Sequence, residues 1–272
     1  MMKKTLLSFV VLLAAMAVQA QTVMKVSVSN PLSVSRNAVP VTIQLDTPVR
    51  SALVVDSKGV ELPCQLDDID SDGRNDCLSF IVPEIGGKKS LSYSVTLSES
   101  GQPRSYQPQV YAEMLLTNKK IKSTNKQDLY ISSLTVDNGT NPYWMLHHHG
   151  PAFENDMVAY RIYFDERQTV DIYGKYKRGL ELRDTQFYPD SDQKAAGYGD
   201  DVLWVGKTFG VGAIRGWNKG SMQMLQDVES RTLAVVARGP LRTIVKVVDK
   251  GWNPRYPDTC TPDERIDMTT YY

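Results

Sequence analysis

Histidine and cysteine are scarce in this chain, and net charge is absent. Three histidines and three cysteines occur in 272 residues, and 31 basic side chains balance 31 acidic ones. A neutral chain offers no electrostatic footprint for nucleic acid or for an anionic membrane surface, so neither is expected as a partner. Long apolar runs are missing too, apart from residues 6 to 18, which follow Lys3 and Lys4 and lead into Val18-Gln19-Ala20. That run is too short for a membrane span; its basic start, apolar middle and small-residue exit read as a secretory signal peptide over residues 1–20. No cysteine follows the cleavage position, so a lipid anchor is not expected and the protein is predicted to be periplasmic or extracellular. In an oxidising compartment Cys64 and Cys77, on either side of a polar loop, are candidates for a hairpin disulfide, against two reduced and packed thiols; Cys260 is left over.

Several catalytic signatures are also missing. No G-x-G-x-x-G joins a strand to a helix, which argues against a Rossmann unit, and there is no G-x-S-x-G, no H-E-x-x-H and no reactive-cysteine signature. No stretch shows a long helical period, and there is no internal repeat.

Short alternating segments dominate instead. Residues 25–29, 41–45, 52–55, 78–82 and 91–97 each fit a half-buried strand, predicting a small N-terminal β-sandwich over 21–98. The Gly/Pro/Ser-rich 98–106 is the natural linker, and 107–272 reads as a second β domain, with a strand or short helix near 110–116 and strands expected near 130–136, 158–164, 169–173, 201–205, 211–217, 232–237 and 241–248. Lys119, Lys120 and Lys122 lie in a polar excursion that reads as a solvated loop.

Two stretches carry candidate chemistry. Asp68, Asp70, Asp72 and Asp76 surround Gly73 with the spacing of a calcium loop, but position twelve is Ser79, not glutamate, and both flanks read as strands. A calcium site and a solvated acidic hairpin both remain open. The second stretch holds every imidazole: His147, His148 and His149, followed by Glu154, Asn155, Tyr160 and Arg161. An extended backbone would put His147 and His149 on one face and His148 on the other. Two imidazoles with Glu154 or with Asp200 or Asp201 permit a metal, while a metal-free acid/base histidine and a structural cluster are the competing readings.

Nearby residues suit a sugar. Arg161 can fork onto a uronate carboxylate, Asn155 can assist, and Tyr143, Trp144, Tyr160, Tyr163, Trp204 and Trp217 can stack on sugar faces or fill a core. Tyr198 sits in a glycine-flanked loop beside Asp200 and Asp201.

The runs His148-His149-Gly150-Pro151-Ala152-Phe153-Glu154-Asn155, residues 158–165, Phe187-Tyr188-Pro189-Asp190 and residues 195–206, together with residues 65–73, resemble in order the secreted family known as domain of unknown function 4861. The resemblance implies an exported protein of glycan-degrading bacteria, encoded beside enzymes of pectin and other uronate polysaccharides. It also implies a galactose-mutarotase-like β-supersandwich after the N-terminal sandwich, and it brings no catalytic assignments. Members continue beyond Tyr272, so the second domain is expected to be incomplete.

The expectation is an exported carbohydrate-active protein, lyase or hydrolase, acting on uronate-containing glycan. Its catalytic groups would be His148, His149, Glu154, Arg161 and Asp200, with His147 beside them, and its substrate contacts Asn155, Tyr160, Tyr198 and Trp204. Calcium at the acidic loop is the one cofactor considered. The alternative is a non-catalytic glycan-binding accessory protein.

Overall fold

A computed structural model describes residues 21–117, 129–185, 188–206 and 208–272. The expected signal peptide at 1–20 and the lysines at 119, 120 and 122 lie outside the described residues.

The first half folds from seven strands: β1 (Gln21–Ser29), β2 (Arg36–Gln44), β3 (Ser51–Asp56), β4 (Glu61–Leu62), β5 (Cys64–Asp67), β6 (Cys77–Ile85) and β7 (Ser90–Ser98). They form two antiparallel sheets, β1-β7-β3-β4 and β2-β6-β5. Alternation drives the packing. Val54, Phe80, Val82 and Val95, all fully buried, meet between the sheets, with Tyr93 tilted against Phe80. Burying such side chains contributes roughly 1.5–3 kcal/mol each, which is what makes period-2 patterning specify a sandwich.

The second half contains β8 (Val110–Glu113), β9 (Ser133–Asp137), β10 (Ala152–Asn155), β11 (Val158–Ile162), β12 (Val170–Gly174), β13 (Asp200–Asp201), β14 (Gly216–Asn218), β15 (Ser221–Gln223), β16 (Ser230–Arg238), β17 (Thr243–Trp252) and β18 (Ile266–Tyr271). A five-stranded sheet, β13-β12-β11-β10-β8, packs on a four-stranded sheet, β18-β17-β16-β9, while β14 and β15 form a separate hairpin. Between the two large sheets lie Ala112, Ile162 and Val170 from one side and Leu233, Val235, Val245 and Val247 from the other. The protein is thus all-β sandwich, and its one described α-helix, α1 (Ser191–Ala195), is a five-residue piece begun by an Asp190–Gln193 capping box.

The halves are joined by polar grips. Buried Gln65 accepts hydrogen bonds from the backbone N–H groups of Leu241 (2.7 Å) and Arg242 (3.0 Å) and donates to the Arg242 carbonyl. Arg242 in turn donates to Asp67 at 2.7 Å and to the Cys77 sulfur at 2.9 Å.

The disulfide alternative is not realised, because Cys64, Cys77 and Cys260 are all free thiols. Cys64 pairs with Phe80 and Cys77 with Asp67, so the two cysteines are three positions out of register. That is about 10 Å along the ladder, beyond the roughly 7 Å that a disulfide can bridge.

Candidate functional site

The five-stranded sheet has an apolar inner face and a polar outer face. Phe153, Tyr160 and Ile162 point inward to the core, while Glu113, Glu154, Arg161, Asp171 and Asp201 come from the alternate positions. Arg161 stands opposite Asp171 in register and is 1% exposed. A guanidinium removed from water this far requires partners on its N–H groups. Its Nε donates to Asp171 Oδ2 at 2.8 Å, and its Nη2 lies 2.7 Å from the same oxygen. Nη2 also donates to the hydroxyls of Tyr163 (2.7 Å) and Tyr188 (2.9 Å), and Asp201 Oδ2 lies 3.7 Å away. Arg161 is therefore not an open fork for a substrate carboxylate, as the sequence led us to expect. It is the fixed post to which the surrounding groups are tied.

Those groups line an open pocket of about 390 Å³. Tyr143 and Tyr163 stand parallel on one side, 5.8 Å apart, with the Arg167 guanidinium 5.4 Å and 4.9 Å from their ring centres. Asp165 holds that guanidinium through both Nε and Nη2. Trp204 forms part of the opposite rim and is 89% exposed. Asp171 and Asp201 also border the pocket. Burial, followed by the charge of Asp171, holds the Asp201 carboxyl above the usual aspartate range, against the opposing pull of the Leu203 N–H and Arg161. One pocket thus combines aromatic faces, a cation, and two carboxylates that share Arg161.

The histidines do not form a strand. Residues His147–His149 make a tight 3-10 turn, with His148 at φ 57° and His149 at φ 60°. The face assignment changes as a result: His147 and His148 stay together, ring centres 4.7 Å apart, and His149 departs. His148 is buried with its Nε2 3.0 Å from Glu113 Oε1. His149 stacks flat on Tyr143 at 3.7 Å, and its Nδ1 meets the Tyr143 carbonyl at 2.9 Å, so it backs the aromatic wall. Burial pushes the His149 imidazole below its ordinary value.

Other predicted residues have structural partners. Glu154 is buried under the 175–182 segment, where it accepts hydrogen bonds from the N–H groups of Glu181 and Leu182 and pairs with Lys175 at 2.5 Å. Asn155 accepts from the N–H groups of Met157 and Val158 and so shapes the β10–β11 turn instead of meeting a ligand. Tyr160 packs in the core, because it alternates with Arg161. Asp200 pairs with Lys194 at 2.6 Å outside the pocket, leaving its neighbour Asp201 as the pocket carboxylate. Tyr198 lies under the Lys177 ammonium, 5.3 Å away, and not in the pocket. Of the aromatic residues expected to stack on a sugar, Tyr143, Tyr163 and Trp204 line it.

In the acidic loop, ligand atoms of Asp68, Asp70 and Asp76 lie within 4.8 Å of one another, without Asp72. Asp72 instead accepts the Arg74 N–H, while Asp68 and Asp76 accept backbone N–H groups of their own loop. Ligand atoms of Glu113, His147 and His148 also lie within 4.8 Å of one another, in place of the His147–His149 pair that alternation predicted.

Sequence reasoning missed Arg167, Asp171, Tyr188 and Glu113. Asp171 was recoverable only from the β11–β12 register, which places it beside Arg161, and Glu113 only from the β8–β10 register, which places it opposite Ala152; Arg167 and Tyr188 lie outside the strands. No curated protein matches the chain. The family profile that does match, over residues 28–270, covers both sandwiches and the pocket, and the chain belongs to that family, described as a domain of unknown function (DUF4861).

Proposed function

We propose that this is an exported carbohydrate-active protein that takes one residue of a uronate-containing glycan into the Tyr143–Trp204 pocket and acts on it as a hydrolase. The observation carrying this reading is the pair Asp171 and Asp201 on one arginine at the pocket, with Asp201 pushed toward its protonated form. Glycoside hydrolysis uses a pair of carboxyl groups, one of which donates a proton to the leaving oxygen, and the raised carboxyl of Asp201 suits that role beside Asp171. Trp204 and Tyr143 offer faces for the sugar ring, and Arg167 supplies positive charge beside it.

A lyase reading has less support. It asks for a free cation on the uronate carboxylate and a side-chain base. Arg161 is occupied, and burial drives the Tyr163 hydroxyl far above its ordinary value despite the nearby arginine. Export is supported by the basic, apolar and small-residue pattern of residues 1–20. Among the described residues no helix is long and apolar enough to cross a membrane.

The test is incubation of the full chain with a panel of pectic and other uronate oligosaccharides. We expect new reducing ends without absorbance from unsaturated uronate. Unsaturated product would turn the assignment to a lyase, and binding without any product would leave the pocket as a recognition site.

A further inference from the structure

We infer that Glu113, His147 and His148 form a binding site for one divalent first-row transition-metal ion, with zinc the expected occupant. This site is separate from the sugar pocket and does not depend on the reading given to that pocket. Ligand atoms from the three side chains all lie within 4.8 Å of one another. His148 Nε2 and Glu113 Oε1 are already 3.0 Å apart. Zinc bonds of about 2.0–2.2 Å place adjacent tetrahedral ligands about 3.4 Å from each other, so these two atoms are close to ligand separation, with the His147 ligand atom within 4.8 Å of both. Two imidazoles and one carboxylate are the donor set that zinc accepts with a further position left for water or substrate.

The surroundings are those of a prepared ligand set. Glu113 and His148 are both buried, whereas His147 is half-buried. The Tyr111 hydroxyl donates to Glu113 Oε2 at 2.7 Å, which orients the carboxylate and leaves Oε1 toward the histidines. The backbone supplies a further argument. In an extended chain consecutive side chains diverge, and the His147–His148 pair could not serve one carboxylate. The left-handed turn at His148, a conformation disfavoured for any side chain with a Cβ, brings both rings to Glu113. A simple buried histidine–glutamate hydrogen bond needs only one of these imidazoles.

The acidic loop provides the internal control. Asp68, Asp70 and Asp76 offer only oxygen, which suits hard cations, while nitrogen donors select zinc, cobalt and nickel. The experiment uses the whole chain, stripped with a chelator and titrated with zinc by calorimetry, alongside cobalt(II) absorption spectra. We expect one zinc per chain, cobalt bands of a nitrogen-containing low-coordinate site, and an affinity weakened by about tenfold or more in His147→Ala, as loss of a direct ligand requires. Asp70→Asn should bind zinc like the wild type. The inference is overturned if zinc binds well below one equivalent, or if His147→Ala binds it unchanged. Loss of zinc in Asp70→Asn with retention in His147→Ala would overturn it equally. Glu113→Gln is a further variant, but because Glu113 is buried the decision rests on the half-exposed His147 and on the wild-type cobalt spectrum.

Discussion

Arg161 and Asp171 face each other across β11 and β12 with their side chains 2% and 1% exposed. Removing one member leaves the other as an unpaired charge in the interior, which costs about 3–5 kcal/mol. Arg161→Met should therefore lower stability by an amount in that range, read from the urea midpoint. Tyr188→Phe, which removes only one hydroxyl partner of the same guanidinium at a partly exposed position, should cost about 1 kcal/mol. If Arg161→Met unfolds no more readily than Tyr188→Phe, the guanidinium is not the post described above.

Asp201 gives a pH signature with a definite sign. Its carboxyl is raised by burial and by Asp171, so its contribution to stability is fully present below the ordinary aspartate value of about 3.9 and is lost as pH rises through the folded-state value. Asp201→Asn abolishes that loss. The variant should be at least as stable as the wild type at neutral pH, with the advantage vanishing on approach to pH of about 4. Hydrolysis should share that pH sense but respond oppositely to the substitution: the wild-type rate falls as pH rises through the Asp201 titration, and the asparagine variant is slower by about 10²-fold or more, the usual contribution of a general acid. Denaturation curves and initial rates across pH check both.

Trp204 separates recognition from folding. At 89% exposed it contributes little to the core, so Trp204→Ala should leave the melting temperature within about 2 °C. A stacked aromatic face is worth about 0.5–1.5 kcal/mol, so glycan affinity should fall roughly two- to tenfold. Titration with the best oligosaccharide of the panel measures it. An unchanged affinity would remove Trp204 from the sugar contacts.

Most of the sandwich was legible because buried strands write a period of two into the sequence. Residues 25–29, 52–55, 78–82, 91–97, 232–237 and 241–248 all lie mostly within observed strands. The short β4 and β5 carry too few residues to show a period. The same signal misled at 201–205: only Asp200–Asp201 is strand, and Val202 and Trp204 project into solvent at the pocket side of the molecule. There apolar residues mark a rim, not a core. The histidines were found by composition, but their faces were not, since a positive φ at His148 is set by tertiary packing and not by a Gly or Asn that would announce it. Arg167 and Asp171 look like ordinary surface charges until strand register and a turn bring them to Arg161.

Gln65 links the two halves through a single amide. Its Oε1 accepts from the N–H groups of both Leu241 and Arg242, and its Nε2 donates to the Arg242 carbonyl, all in buried or half-buried surroundings. Alanine at this position leaves two backbone donors and one acceptor without that partner, and an unsatisfied buried group costs about 1–3 kcal/mol. Partial hydration of the β16–β17 turn reduces the sum, so Gln65→Ala should destabilise by about 2–3 kcal/mol. The exposed Gln102→Ala should stay within about 0.5 kcal/mol of the wild type. Because the bond joins separate sandwiches, the loss should also expose the hinge. Limited proteolysis of Gln65→Ala is expected to cut between Ser98 and Val110 faster than in the wild type, where Gln109 N–H is fixed on the Pro240 carbonyl at 2.7 Å. Equal cutting rates with a lowered midpoint would mean that Gln65 stabilises the N-terminal sandwich alone and does not clamp the two together.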